Sequence, residues 1–189
     1  MRISYNAPVT LTFALVSTVV LLADGFTGAG ITEAFFAVGG TMDFADPIDY
    51  VTLFTHVIGH ANWTHLVSNF AFILLLGPIL EEKHGSSGLL FMMAVTALVT
   101  GVLNVLLFST GLLGASGIVF MMILLGSFTN FRKGEIPLTF ILVVVLYLAR
   151  EVVTAFEADT VSQFAHIAGG FCGSLFGFLK PHAAPEASA

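Results

Sequence analysis

The sequence predicts an all-α membrane protein: a six-transmembrane-helix bundle with a long structured first outer loop. Three observations predict it. Of 189 residues, 57% are hydrophobic and only 10% charged, too little charge to cover a soluble domain. Six apolar runs, most of them near the length of a membrane span, follow one another along the chain. The basic residues also segregate to one set of connections, as expected of a polytopic protein.

The runs are 8–23, 62–80, 88–108, 115–128, 137–153 and 162–179. The first, with Arg2 in front and small residues after Asp24, has some features of a cleavable signal; its long apolar core favours a retained helix. No internal repeat breaks the pattern, so residues 1–180 are expected to form one membrane domain. The tail "PHAAPEASA" (181–189) is expected to be disordered.

Orientation follows from the positive residues. With the N-terminus inside, Arg2, Lys83, Arg132, Lys133 and Lys180 all fall on the cytoplasmic side, and only Arg150 lies outside, beside Glu151. The outer segments carry Asp24, Glu33, Asp43, Asp46, Asp49, Glu157 and Asp159. Both termini are therefore expected in the cytoplasm of a bacterial-type plasma membrane. The first outer loop, Asp24 to about Ala61, keeps apolar stretches ("ITEAFFAVGG", "YVTLFTHVIGH"). Its length points to structure of its own, partly in the membrane interface.

Composition excludes several functions. The net charge is −6 with no basic stripe, so no nucleic-acid partner is expected. Cys172 is the sole cysteine, which rules out a disulfide framework and a thiolate metal site. No cofactor, metal or obligatory oligomer is implied; HExxH is absent, and His56, His60 and His65 lack a neighbouring carboxylate.

The fourth run is too short. Fourteen residues rise roughly 21 Å, against a hydrocarbon core of about 30 Å. "STGLLG" (109–114) should therefore dip into the membrane, which irregular backbone does only against protein or a water-filled cavity. Ser116 would then begin a helix below the outer surface. Counted from the cytoplasmic ends at helical rise, Ser116, His166, and the pair His65 and Asn69 reach a similar layer of the outer half, from three helices.

Each residue has a bland reading. A membrane serine commonly bonds a carbonyl one turn earlier. Ser116 stands out because Gly114 and Gly117 flank it, permitting close approach of a helix or substrate. His166 shares a face with Gly169, Gly173 and Gly177, a small-residue packing stripe that aims the imidazole at a neighbouring helix. His65 and Asn69, four apart on one face, serve either as helix glue or as oxyanion donors. His56 and His60 are read first as braces for the outer loop. Asp159 stands seven residues before His166, roughly 10 Å further out if helical, which disfavours a triad, so the sequence offers a serine–histidine dyad.

These motifs together resemble the rhomboid intramembrane serine proteases of the six-helix bacterial kind. "HANWTHLVSNF" (60–70) resembles the second-helix signature, "GASG" (114–117) the nucleophile motif, and "AHIAGGFCG" (165–173) the histidine-bearing sixth helix. The resemblance implies Ser116 as nucleophile, His166 as general base, and His65, Asn69 and the Ser116 N–H as oxyanion hole. His60 matches a histidine beside the site, and Glu81 a structural acid at the cytoplasmic end of the second helix. Phe120 stands one turn below Ser116, where many relatives have tyrosine. Val51 and Thr52 replace a frequent Trp-Arg pair.

By the same resemblance the expected function is cleavage of transmembrane helices of membrane proteins near the outer face. Substrates would enter between the second and fifth helices. Pro137–Val153 would then be the movable wall, and "TAFEADT" (154–160), with Phe156, the cap. Two rivals stay open at this stage. One is a catalytically silent chaperone or trafficking factor that binds transmembrane helices. The other is a transporter of metal or solute built on His56, His60 and His65.

Overall fold

A computed structural model describes residues 4–127, residues 160–179 and the single positions 138, 141, 142 and 145. The expected wall Pro137–Val153 therefore lies mostly outside the described residues. So do Phe156, most of the expected cap, the tail, and Arg132, Lys133, Arg150 and Lys180. The described residues form an all-helical protein with seven helices: α1 (Pro8–Thr27), α2 (Ile31–Phe35), α3 (Pro47–Thr55), α4 (Trp63–His84), α5 (Ser86–Leu107), α6 (Ser116–Ser127) and α7 (Thr160–Leu179). Leu138, Ile141, Leu142 and Val145 are helical and exposed.

Three helices, α1, α4 and α5, are long and apolar enough to cross a membrane, while α6 and Phe164–Leu179 are shorter apolar helices. Their outward faces carry Leu15, Val19, Phe91, Phe171 and Phe178, each more than half exposed. Continuous apolar surface on this scale suits lipid rather than water.

The helix ends differ from the sequence expectation for identifiable reasons. α1 runs four residues past Ala23, because Gly28 takes a left-handed conformation and its N–H closes the last turn on the Asp24 carbonyl. Asp24 thus belongs to the helix rather than to the loop. Its carboxylate accepts from the Ile31 and Thr32 N–H groups and so caps α2. Asn62 is the cap of α4 rather than its first residue; its side chain accepts from the His65 N–H. Pro78 sits inside α4, which nonetheless continues to His84.

Glu81 joins the start of α1 to the junction of α4 and α5. It is only 4% exposed, and a buried carboxylate must be fully hydrogen-bonded to be tolerated. Its oxygens accept from the Val9 and Thr10 N–H groups, the Thr10 hydroxyl and the Ser86 hydroxyl. α1 has Ala7 at its cap position and no side-chain cap of its own, so Glu81 of α4 supplies the negative group its N-terminus needs.

The core lies between α4, α5, α6 and α7, with Ile73, Leu89, Ile118, Met121 and Met122 essentially inaccessible. α6 is buried almost all round, as expected of a helix enclosed by others. Its closest neighbour is α7. A Cβ on Gly169 would fall on the Gly117 carbonyl, and one on Gly173 on the Met121 carbonyl, so glycine is what lets these backbones touch.

Candidate active site

The start of α6 is fixed from three sides. The segment before it is irregular, with Leu112 and Val38 exchanging both backbone hydrogen bonds at 2.9 Å in an isolated antiparallel bridge. The Gly114 N–H donates to the His56 carbonyl, also at 2.9 Å. Asn104 of α5 donates to the Thr110 carbonyl at 3.0 Å. These bonds satisfy irregular backbone that lipid could not. Gly114 then turns the chain with φ +119°, a conformation L side chains rarely adopt.

The same glycine admits His65. A Cβ on Gly114 would stand 2.6 Å from His65 Cε1 and 2.7 Å from Nε2, so the imidazole lies flush against the chain two residues before Ser116. The Asn62 cap holds His65 in the first turn of α4, and Asn69 follows one turn on, buried at 7% exposure. The Asn69 amide donates to His60 Nε2 at 3.2 Å. The His60 and His65 rings meet edge to face, 5.0 Å between centroids.

On the other side, α7 brings His166 to the Ser116 turn of α6. The Ala165 carbonyl lies 3.4 Å from where a Gly117 Cβ would be, and Gly169 packs on the Gly117 backbone. The His166 ring stacks on Phe120, centroids 4.4 Å apart and planes inclined by 41°. Ser116, His65 and His166 each keep partial exposure, while Phe120 is buried. Ser116 thus stands between Gly114, which meets the His65 ring, and Gly117 and Phe120, which meet α7 at Gly169 and His166.

His56 stands apart. Its Nε2 reaches the Ala97 carbonyl at 3.1 Å and Thr100 Oγ at 3.4 Å, bracing the 28–62 connection against α5. Burial pushes the His56 and His60 rings down to about 4. Among the described residues no group of three or more His, Cys, Asp or Glu could hold a metal ion. The His56 ring turns to α5, while the His60 and His65 rings meet each other.

Two contributors are not read from the sequence as site residues. Val38 acts through its backbone, which any residue could supply. Asn104 is a polar residue in the apolar run "GVLNVLLF", and that anomaly was the available clue.

An all-helical fold with apolar helices of spanning length, and a serine-bearing short helix packed against histidine-bearing neighbours, defines a multi-pass membrane protein. Residues 47–182 match the family model described as Rhomboid domain, and the chain belongs to the rhomboid family of intramembrane proteases. It is similar to "Rhomboid protease GlpG" of Haemophilus influenzae, 22% identical over 128 residues that cover 66% of this chain and 67% of that protein. It is also similar to "Rhomboid-like protein 11, chloroplastic" of Arabidopsis thaliana, 25% identical over 136 residues, 64% of this chain and 49% of that one. The match thus spans about two thirds of the first relative's length and half of the second's.

Proposed function

We propose that this chain is an intramembrane serine endopeptidase. Ser116 Oγ is the nucleophile, His166 the general base, and His65, Asn69 and the Ser116 N–H the oxyanion hole. The observation that carries this reading is the contact of two helical turns: Gly169 against Gly117 and the His166 ring on Phe120, one turn below Ser116.

In the reaction His166 takes the Ser116 proton as Oγ attacks the substrate carbonyl. The C=O π electrons move onto oxygen, giving a tetrahedral oxyanion. Its charge develops at the N-terminus of α6, where first-turn N–H groups lack intrahelical partners and the helix dipole favours an anion. The His65 ring and Asn69 amide supply further donors from α4. The imidazolium then protonates the departing amine as the C–N bond breaks. Water, deprotonated by the same imidazole, hydrolyses the acyl-enzyme and regenerates Ser116.

The substrates are single-span membrane proteins whose outer helix end unwinds at Gly, Ser or Pro, since an intact helix shields its own carbonyls. The enzyme lies in a bacterial-type plasma membrane with its termini in the cytoplasm. Cleavage of such a substrate in proteoliposomes tests the proposal. Wild type should cut within the span's outer half, and Ser116→Ala and His166→Ala should leave it intact. Binding without cleavage by a folded wild-type protein would favour the chaperone reading instead.

A further inference from the structure

Donor and acceptor chemistry around His60 admits a single protonation state. Its Nδ1 lies 3.0 Å from the Ile58 carbonyl oxygen, which can only accept, so Nδ1 carries the proton. Its Nε2 lies 3.2 Å from the Asn69 carboxamide nitrogen, which can only donate, so Nε2 presents its lone pair. The ring is 1% exposed, wedged between the His65 and Phe70 rings at 5.0 and 5.7 Å, so it cannot swing to other partners.

We infer that His60 is a positioning residue: the Ile58 carbonyl fixes its tautomer, and its bare Nε2 fixes the orientation of the Asn69 carboxamide. An unheld Asn side chain has two faces, with oxygen and nitrogen exchanged by a half-turn. An oxygen turned towards a developing oxyanion would repel it. His60 accepts one N–H of Asn69, which pins nitrogen rather than oxygen on that side and leaves the second N–H for the oxyanion. A ring protonated at Nε2 would set N–H against N–H and favour the wrong rotamer. Burial, with the neighbouring His65, holds the ring neutral by keeping its pKa down to about 4. This deepens the proposed function and rests on its assignment of Asn69 as an oxyanion donor.

The test is a double-mutant cycle on substrate cleavage, with thermal unfolding as a control. His60→Leu, which removes the acceptor, should lower kcat roughly 10- to 100-fold with little change in KM, as misplacing a catalytic group does. His60→Gln, whose side-chain carbonyl can accept at the same point, should recover most of that loss. In an Asn69→Ala background His60→Leu should cost almost nothing more. Full additivity, or an unchanged kcat in His60→Leu, overturns the inference while leaving the oxyanion reading standing. An Asn69→Ala enzyme with full turnover overturns both. If His60→Leu fails to fold, 15N imidazole spectra of the wild-type protein decide. Protonated Nδ1 and bare Nε2 at neutral pH support the inference; the opposite tautomer or an imidazolium overturns it.

Discussion

The Phe120 ring lies against the His166 ring, 4.4 Å between centroids, with Phe120 on α6 and His166 on α7. A phenyl ring offers packing but no hydroxyl, so what Phe120 gives the imidazole is contact area. Phe120→Ala should destabilise the protein by about 3 kcal/mol, as truncation of a buried phenylalanine does, and lower turnover further by freeing the imidazole. Phe120→Tyr keeps the ring and should remain active. Melting in detergent and cleavage rates check both; an active, fully stable alanine variant would contradict the packing role.

Gly169 sets the spacing of α6 and α7. Even the Cβ of alanine would fall on the Gly117 carbonyl. Gly169→Val should cost about 1–3 kcal/mol through overpacking and abolish cleavage by separating Ser116 from His166. A valine variant with native melting temperature and turnover would show that the helices are held apart in another way.

Asn69 is buried with its amide on His60 Nε2. Asn69→Ala should reduce kcat roughly 100- to 1,000-fold, the usual cost of an oxyanion donor in serine proteases. Its effect on KM should be small.

Glu81 affects the fold and not the chemistry. Its carboxylate accepts four hydrogen bonds from α1 and the start of α5. Glu81→Ala orphans these donors and should destabilise by about 3 kcal/mol or more. Glu81→Gln keeps one acceptor oxygen and should lose less. Chemical denaturation curves of the two variants should rank them in that order.

Stability should fall in mild acid. The His56 and His60 rings sit at about 4 in the folded protein, against 6.5 ordinarily. Between those values the unfolded chain binds more protons, so stability is complete above pH 6.5 and drains away as pH falls towards 4. Melting temperatures across that window check the slope. A midpoint unchanged from pH 7 to pH 4.5 would mean that neither ring is buried in its neutral form.

How much of this was legible in the sequence depends on how each feature is encoded. The close approach of α6 and α7 is written in side chains: Gly114 and Gly117 around Ser116, and Gly169 and Gly173 after His166. His65 and Asn69 could be read likewise, because helical spacing is a local rule, whereas the apolar run includes Asn62, which proves to be its cap. The Val38–Leu112 bridge and the Gly114–His56 bond were not legible, since backbone groups are common to all residues. The partner of Glu81 was equally hidden. Apart from Ser86, the donors to its carboxylate lie some seventy residues away in α1, and only tertiary packing brings them together. The extra turn of α1 depended on Gly28 rather than on where apolar residues end.

The central claim is that His166 activates the Ser116 hydroxyl, and covalent labelling reads it most directly. A fluorophosphonate probe should label the folded wild-type protein in detergent at Ser116, and should fail to label folded Ser116→Ala and His166→Ala variants. Undiminished labelling of either variant, or none of a folded wild-type protein, would contradict the account.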